Sequence, residues 1–270
     1  MQILYGVHPV EEALRAGKRR FDHVCFSKER QDQRLDRIVA LCRDAGVRVR
    51  TAPKDHLTLL AKTEAHQGVV AVVRPQESYT LEDLLGTGST PRAEDAPPFF
   101  LLALDGVEDP QNLGALLRTA DGAGVDGVVL TERRAAPLSP VAIKASAGAA
   151  EHIRIVRVVN LVRALEQLKE AGVWVIGLDE RGTQFYDEYD FSGPTVLVLG
   201  REGEGLHDLV RRNCDHLLRI PMMGGVSSLN VSAAGAVVLY EAARQRRKGD
   251  KPVEVLQKPV AKKVRKGLGS

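Results

Sequence analysis

The chain has 270 residues, 44% of them apolar and 27% charged, a composition that supplies a sizeable core and excludes wholesale disorder. No apolar run reaches the roughly 18–20 residues that a membrane span needs, and the N-terminus, MQILYGVHPVEEALRAGK, lacks the basic-then-apolar pattern of a signal peptide. The net charge of +3 hides an uneven distribution: residues 1–74 carry fourteen Lys/Arg against nine Asp/Glu, residues 244–270 carry ten against two, and the body between is acidic.

Basic ends around an acidic body point to a polyanion such as nucleic acid held at the periphery. Solubility charge with a disordered tail is the plainer alternative. Cys25, Cys42 and Cys214 are odd in number and scattered. They form neither a disulfide framework nor a CxxC pair and predict a reduced, cytoplasmic protein.

Read in order, residues 1–74 predict a small α/β domain. Residues 6–16 suit a helix with Pro9 tolerated in its first turn, and 35–45 a helix closed by Gly46. Residues 24–26, 47–50 and 69–73 suit strands. Residues 75–97 mix Pro, Gly, Ser, Thr and Glu around a weak helical patch at 81–85 and read as a linker. From Phe99 the pattern becomes strand–helix–strand: FFLLALDGV, NLGALLRTADGAG, VDGVVL. A helix at 140–150, a strand at 153–158, a helix at 160–171 and a strand at 173–178 follow. Such alternation predicts a parallel sheet covered by helices on both faces, within a domain at 98–248. Residues 249–270 carry Pro252, Pro259 and the run KKVRK, and predict a disordered basic tail.

The stretch 195–240 carries the densest chemistry. An apolar, β-branched strand at 195–199 stops at Gly200, and the loop REGEG then sets Glu202 and Glu204 among glycines. A second strand, 217–220, stops at Pro221; a loop of small and hydroxyl residues follows, and Asn230 opens a helix. Two strand ends with two flexible loops predict one ligand pocket at the edge of the parallel sheet. Upstream, Asn112 and Arg118 are the polar residues of an otherwise apolar helix, 113–120. Asn112 reads as its N-cap. Arg118 interrupts an apolar run, where an arginine is usually paired with a carboxylate or an anion, and Glu202 is the candidate partner.

Other chemistries fit poorly. A dinucleotide site wants its glycine fingerprint directly after the first strand, and DGVEDP offers one glycine there. The chain has no GxxxxGK[ST], no GxSxG nucleophile elbow and no HExxH or other metal spacing, so no metal is expected. His207 and His216 read as surface or core-edge residues.

Three stretches together resemble a known family. NLGALLR at 112–118, GREGEGL at 200–206 and IPMMGGVSSLN at 220–230, in that order, are similar to the three motifs of the SpoU (TrmH-type) RNA 2′-O-ribose methyltransferases of the SPOUT superfamily. KASAGA at 144–149 also fits. GVHPVEEAL at 6–14 and HQGVVA at 66–71 resemble the RlmB-type subgroup, which modifies a guanosine in the peptidyl-transferase region of large-subunit (23S) ribosomal RNA. The resemblance covers about residues 1–245.

It implies a SPOUT-type α/β domain with a deep C-terminal trefoil knot, preceded by a small L30e-like α/β RNA-binding domain. S-adenosyl-L-methionine would be the cofactor, contacted by Gly200, Ile220 and Leu229 with Met222 nearby. Ser228 and Asn230 would line the substrate side, although Asn230 also suits a helix cap. Arg118 would serve as general base or, more conservatively, as a phosphate clamp held by Glu202, with Asn112 orienting the same group. Family members are homodimers. A transfer RNA ribose is the rival substrate, and a non-catalytic RNA-binding ribosome-assembly factor is the rival class.

Overall fold

The computed structural model describes residues 1–30, 32–75, 78–87 and 96–247, so the basic tail lies outside the described residues. In the first part, β1 (Gln2–Tyr5), α1 (Val7–Ala16), β2 (Phe21–Ser27), α2 (Gln33–Asp44), β3 (Val49–Ala52), α3 (Lys54–Ala61) and β4 (Val69–Val73) form a four-stranded mixed sheet with its helices. Its order is β1-β4-β2-β3; β1–β4 and β4–β2 are antiparallel and β2–β3 parallel. The two stretches that suggested the RlmB-type subgroup meet here. The Gln67 side chain accepts the Val7 N–H at 3.0 Å, satisfying a donor at the start of α1 that no side-chain cap covers. β1 and α3 were not expected.

The linker reading changes for its described part. Thr80 and Asp83 form a capping box that starts α4 (Leu81–Leu85), and Leu81 and Leu84 are buried against the second sheet. This short helix is therefore part of the core.

The second sheet comprises β5 (Phe100–Leu104), β6 (Gly127–Thr131), β7 (Arg154–Val158), β8 (Trp174–Leu178), β9 (Gln184–Phe185), β10 (Thr195–Leu199) and β11 (His216–Arg219). Its helices are α5 (Pro110–Gly122), α6 (Pro140–Ala145), α7 (Leu161–Glu170), α8 (Asp208–Asn213) and α9 (Val231–Arg246). Every strand pair is parallel, in the order β7-β6-β5-β10-β8-β11-β9. β10 sits at the centre, entering between the earlier strands β5 and β8 with all five residues buried.

Alternate residues along β5 and β10 feed two apolar clusters, as a strand covered on both faces requires. Leu102, Leu104, Leu197 and Leu199 join one with Leu113, Leu116 and Val238 of α5 and α9. Leu101, Ala103, Val196 and Val198 join the other with Leu165 and Val210 of α7 and α8.

The expected helix at 140–150 is cut short. α6 stops at Ala145, Ala147 and Gly148 take φ +52° and +98°, and a 3₁₀ turn covers Ala149–Glu151. A Cβ at Gly148 would come within 2.5 Å of the Glu12 side chain on α1, so this glycine allows the two parts of the chain to close on each other. The break also seats Glu151 against Arg19: Arg19 Nε donates to its carboxylate at 2.5 Å and Nη1 to Gln2 Oε1 at 2.6 Å, both charged side chains being wholly buried. Gln2 in turn donates to the Leu138 carbonyl, Lys144 to the Ala65 carbonyl, and His152 meets Glu12 at 2.9 Å. The first apolar cluster runs through this junction, from Leu4 and Val10 to Ala142 and Leu117. Among the described residues, no helix is long and apolar enough to cross a membrane.

Candidate functional site

A cleft of ≈ 770 Å³, counting its open mouth, lies over the carboxyl ends of β8, β10 and β11. The edge that carries it is thus the C-terminal edge of the sheet, above its central strand. Leu199, Ile220, Leu229 and Met222 supply apolar wall, and Gly200, Glu202 and Ser228 belong to the same lining.

The loop after β10 is a tight return in which Arg201 and Gly205 exchange two backbone hydrogen bonds, both 3.0 Å. Gly200 leaves no room for a side chain, because a Cβ there would collide with the Gly205 backbone. Two buried carboxylates fix the exit of the loop from the strands that flank β10. Asp105, after β5, accepts the His207 N–H at 2.7 Å and pairs with its Nδ1 at 2.8 Å. Asp179, after β8, accepts the Arg181 N–H at 2.9 Å and lies 3.5 Å from the Leu206 N–H. The sequence reading missed both, although FLLALD and WVIGLD show the same signal: an aspartate directly after an apolar strand. His216, the second histidine, stacks beside Tyr189 and Trp174 on the opposite edge of the sheet.

The three motifs meet through hydrogen bonds. Asn230 caps α9, its Oδ1 accepting from the Ser232 N–H at 2.9 Å, which leaves its Nδ2 free to donate. That Nδ2 lies 2.8 Å from Glu202 Oε1 and 3.1 Å from Asn112 Oδ1. Asn112 Nδ2 donates to the other Glu202 oxygen at 3.2 Å. Each motif supplies one member of the triangle.

Two expectations are corrected. Asn112 is not a helix cap: Asp109 caps α5, accepting the Gln111 N–H at 2.8 Å, and Pro110 fills the first helical position. Asn112 is buried in the first turn instead. Nor does Glu202 hold Arg118 within the chain: its partners are the two amides, and no hydrogen bond or ion pair joins it to Arg118 among the described residues. Six residues separate Asn112 from Arg118, about 240° around a helix with 3.6 residues per turn, so they occupy different faces of α5. Arg118 is exposed, is not among the residues lining the cleft, and has no hydrogen-bond or ion-pair partner among the described residues.

A cleft at the carboxyl ends of parallel strands, with glycine-bearing loops and an apolar wall, defines an α/β enzyme that binds a small cofactor or nucleotide. The comparisons narrow the class. The model of the SpoU rRNA Methylase family matches residues 100–240, and that of the RNA 2′-O ribose methyltransferase substrate-binding domain matches residues 3–79. The chain belongs to the SpoU rRNA methylase family. It is 42% identical over 248 residues to the 23S rRNA (guanosine-2′-O-)-methyltransferase RlmB of Photorhabdus laumondii, covering 91% of this chain and 98% of the relative. With RlmB of Pseudomonas aeruginosa it shares 44% over 247 residues, 90% of this chain and 96% of that one. Among solved structures, the SpoU methyltransferase AviRb from Streptomyces viridochromogenes in complex with AdoMet superposes with a TM-score of 0.75 at 26% identity, over 92% of this chain and 91% of that one.

Proposed function

We infer that this protein transfers a methyl group from S-adenosylmethionine to the ribose 2′-hydroxyl of a guanosine in 23S ribosomal RNA, acting in the cytoplasm. The observation that carries the reading is the Asn112–Glu202–Asn230 triangle, whose Glu202 lines a cofactor-sized cleft, in a chain similar over nine-tenths of its length to 23S rRNA methyltransferases. The A. aeolicus TrmH/SpoU tRNA modifying enzyme, by contrast, matches 63% of this chain. The likeness to 23S rRNA methyltransferases over nine-tenths of the chain favours ribosomal RNA. The family likeness also brings the expectation of a trefoil knot through residues 200–230, where β10 enters between β5 and β8.

The residues present fit the cofactor. Gly200, against the Gly205 backbone, allows close backbone approach, while Leu199, Ile220 and Leu229 offer apolar wall, with Met222 beside them. When bound, S-adenosylmethionine supplies an electrophilic methyl on a sulfonium. Asp179, Glu180, Glu202 and Glu204 outnumber Arg201 and Arg219 in the lining, and although Glu204 pairs with Arg201, the cleft keeps a net negative charge that favours a cationic ligand.

The chain's own groups must align the hydroxyl and hold the phosphodiester. Ser228 lines the cleft, Asn230 stands between its lining residues Leu229 and Val231, and Glu202 fixes Asn112 and Asn230 through one oxygen each, which puts the substrate side here. Arg118 binds the phosphate or polarises the 2′-hydroxyl; a guanidinium gives up its proton too reluctantly to be the first choice of base. Because Arg118 stands outside the cleft of its own chain, this role goes with a homodimer. The exposed face that carries Arg118 also carries the half-exposed Ala115 and Thr119 on α5, and α9 exposes Val237 and Tyr240 beside it. The Tyr240 hydroxyl lies 2.9 Å from where a Cβ on Gly122 would stand, so the two helices present one apolar surface suited to a second copy.

The test is methyl transfer from labelled S-adenosylmethionine to protein-free 23S rRNA, 16S rRNA and bulk tRNA, followed by nuclease mapping. Label as 2′-O-methylguanosine in 23S rRNA is the expected result. Label in tRNA alone would overturn the substrate, and bound cofactor with no label on any RNA would favour the assembly-factor class.

A further inference from the structure

We propose that the loop after β6 is a phosphate bridge, in which Arg133 and Arg134 hold backbone phosphates of the RNA between the N-terminal part of the molecule and the cofactor cleft. The proposal rests on the RNA methyltransferase reading and adds to it a binding surface outside the three motifs.

β6 ends at Thr131 on the same sheet edge as Gly200, two strands from β10. At the usual strand spacing that is about 10 Å from the cleft's central strand. The loop that follows is tied down at three places. The Glu132 N–H donates to the Val158 carbonyl at 2.9 Å, at the end of β7, and the Ala136 N–H donates to the Val107 carbonyl at 2.8 Å. Val107 follows Asp105, the residue that holds His207 at the exit of the cofactor loop. The third tie is Gln2 Nε2 donating to the Leu138 carbonyl at 3.2 Å, and Gln2 also receives Arg19 in the buried junction. The loop therefore spans the gap between the cleft and the N-terminal sheet, with both ends fixed.

Within that frame the chain exposes two adjacent arginines. Arg134 has φ +53°, a left-handed conformation that disfavours a residue with a Cβ and persists where the surrounding structure dictates it. Both side chains are exposed, and neither has a hydrogen-bond or ion-pair partner among the described residues. Arg15, Arg30, Arg201, Arg211 and Arg244 each pair with a carboxylate, whereas Arg133 and Arg134 join Arg118 among the exposed arginines that do not. Two neighbouring guanidiniums without an ion-pair partner among the described residues, near the cleft of an RNA-modifying enzyme, fit the bidentate demand of phosphate oxygens. A protein partner is the competing class. No large apolar side chain is exposed between Glu132 and Leu138, which counts against it.

The experiment uses the full chain with Arg133→Ala combined with Arg134→Gly, because glycine keeps the left-handed backbone while removing the charge. Affinity for protein-free 23S rRNA is measured from about 50 to about 200 mM salt, with cofactor affinity measured alongside. The expected result is RNA binding weakened by roughly tenfold per lost contact and a log–log salt slope shallower by about 0.7 per phosphate on single-stranded RNA. KM for RNA rises while kcat at saturating RNA and cofactor affinity stay as in the parent. The pair Arg133→Lys and Arg134→Lys keeps the charge and should return most of the slope. RNA affinity and slope equal to the parent's in the double variant would overturn the proposal. A parent protein that does not retain RNA at all would overturn the underlying reading instead.

Discussion

Where the two parts of the chain meet, Arg19 and Glu151 pair with both side chains wholly buried, whereas at the cleft Glu202 takes two neutral amides, and one of them, Asn230, is exposed. The same carboxylate chemistry serves opposite ends. In the buried pair, charge meets charge, and each group would be costly alone. At the cleft the partners fix the position of Glu202 without cancelling its charge, so a net negative charge stays available to a cationic ligand while the amides keep further hydrogen-bonding capacity for substrate. One cluster is closed and holds the architecture together; the other is open and can change partners.

Breaking the closed cluster should have the largest effect. Glu151→Ala leaves the Arg19 guanidinium buried without its charge and should cost about 3–5 kcal/mol, seen in the denaturation midpoint. Replacing both residues with apolar ones, Arg19→Met and Glu151→Leu, should cost far less. Equal losses from the single and double variants would mean that the pair is not a unit. At the open end, Gly200→Ala drives a methyl into the Gly205 backbone, should cost about 1–3 kcal/mol of stability, and by displacing the loop should weaken cofactor binding in calorimetry. Unchanged affinity would remove Gly200 from the cofactor wall.

A finer probe is Asn230, which combines cap and network. Asn230→Ala should lose about 1 kcal/mol of helix capping together with transfer. Asn230→Asp should keep the cap, yet set a second carboxylate beside Glu202 and lose transfer alone. If the aspartate variant transfers normally, the triangle is only structural.

The smallest expected effect is on pH dependence in the N-terminal sheet. His66 is 2% exposed, accepts the Gly68 N–H at Nδ1 and meets Thr58 Oγ1 at Nε2. Burial holds its pKa below the usual histidine value. The folded state therefore resists protonation: His66 contributes stability in full above the unfolded value of about 6.5, and that contribution is lost as pH falls through the lower folded value. Denaturation midpoints taken across this range should fall on acidification, and fall less in His66→Gln. Equal falls in both proteins would assign the effect to other groups.

Much of the catalytic part was legible because its signals are local. Strand and helix alternation from Phe99 onward needed only periodicity, and the three motifs needed only their order. The cap of α5 is misread at Asn112 rather than illegible, because aspartate followed by proline at 109–110 marks a helix start more strongly. Helical periodicity also places Arg118 off the Asn112 face before any coordinates are seen.

What could not be read depends on distant partners. β1 is only four residues, QILY, and is defined by pairing with β4 some seventy positions away. Glu151 looks like any surface glutamate until Gly148 turns the chain and Arg19, 132 positions earlier, closes on it. Asp105 and Asp179 lie between: their place after apolar strands is legible, but their shared grip on the loop appears only once β10 is placed between those strands.

The most direct test of the proposed reaction is a paired measurement on Arg118→Ala: cofactor affinity by calorimetry, and single-turnover methyl transfer to 23S rRNA. The account predicts that transfer falls by at least about a hundredfold while cofactor affinity is unchanged. Cofactor binding lost together with transfer would contradict it and make Arg118 part of the scaffold.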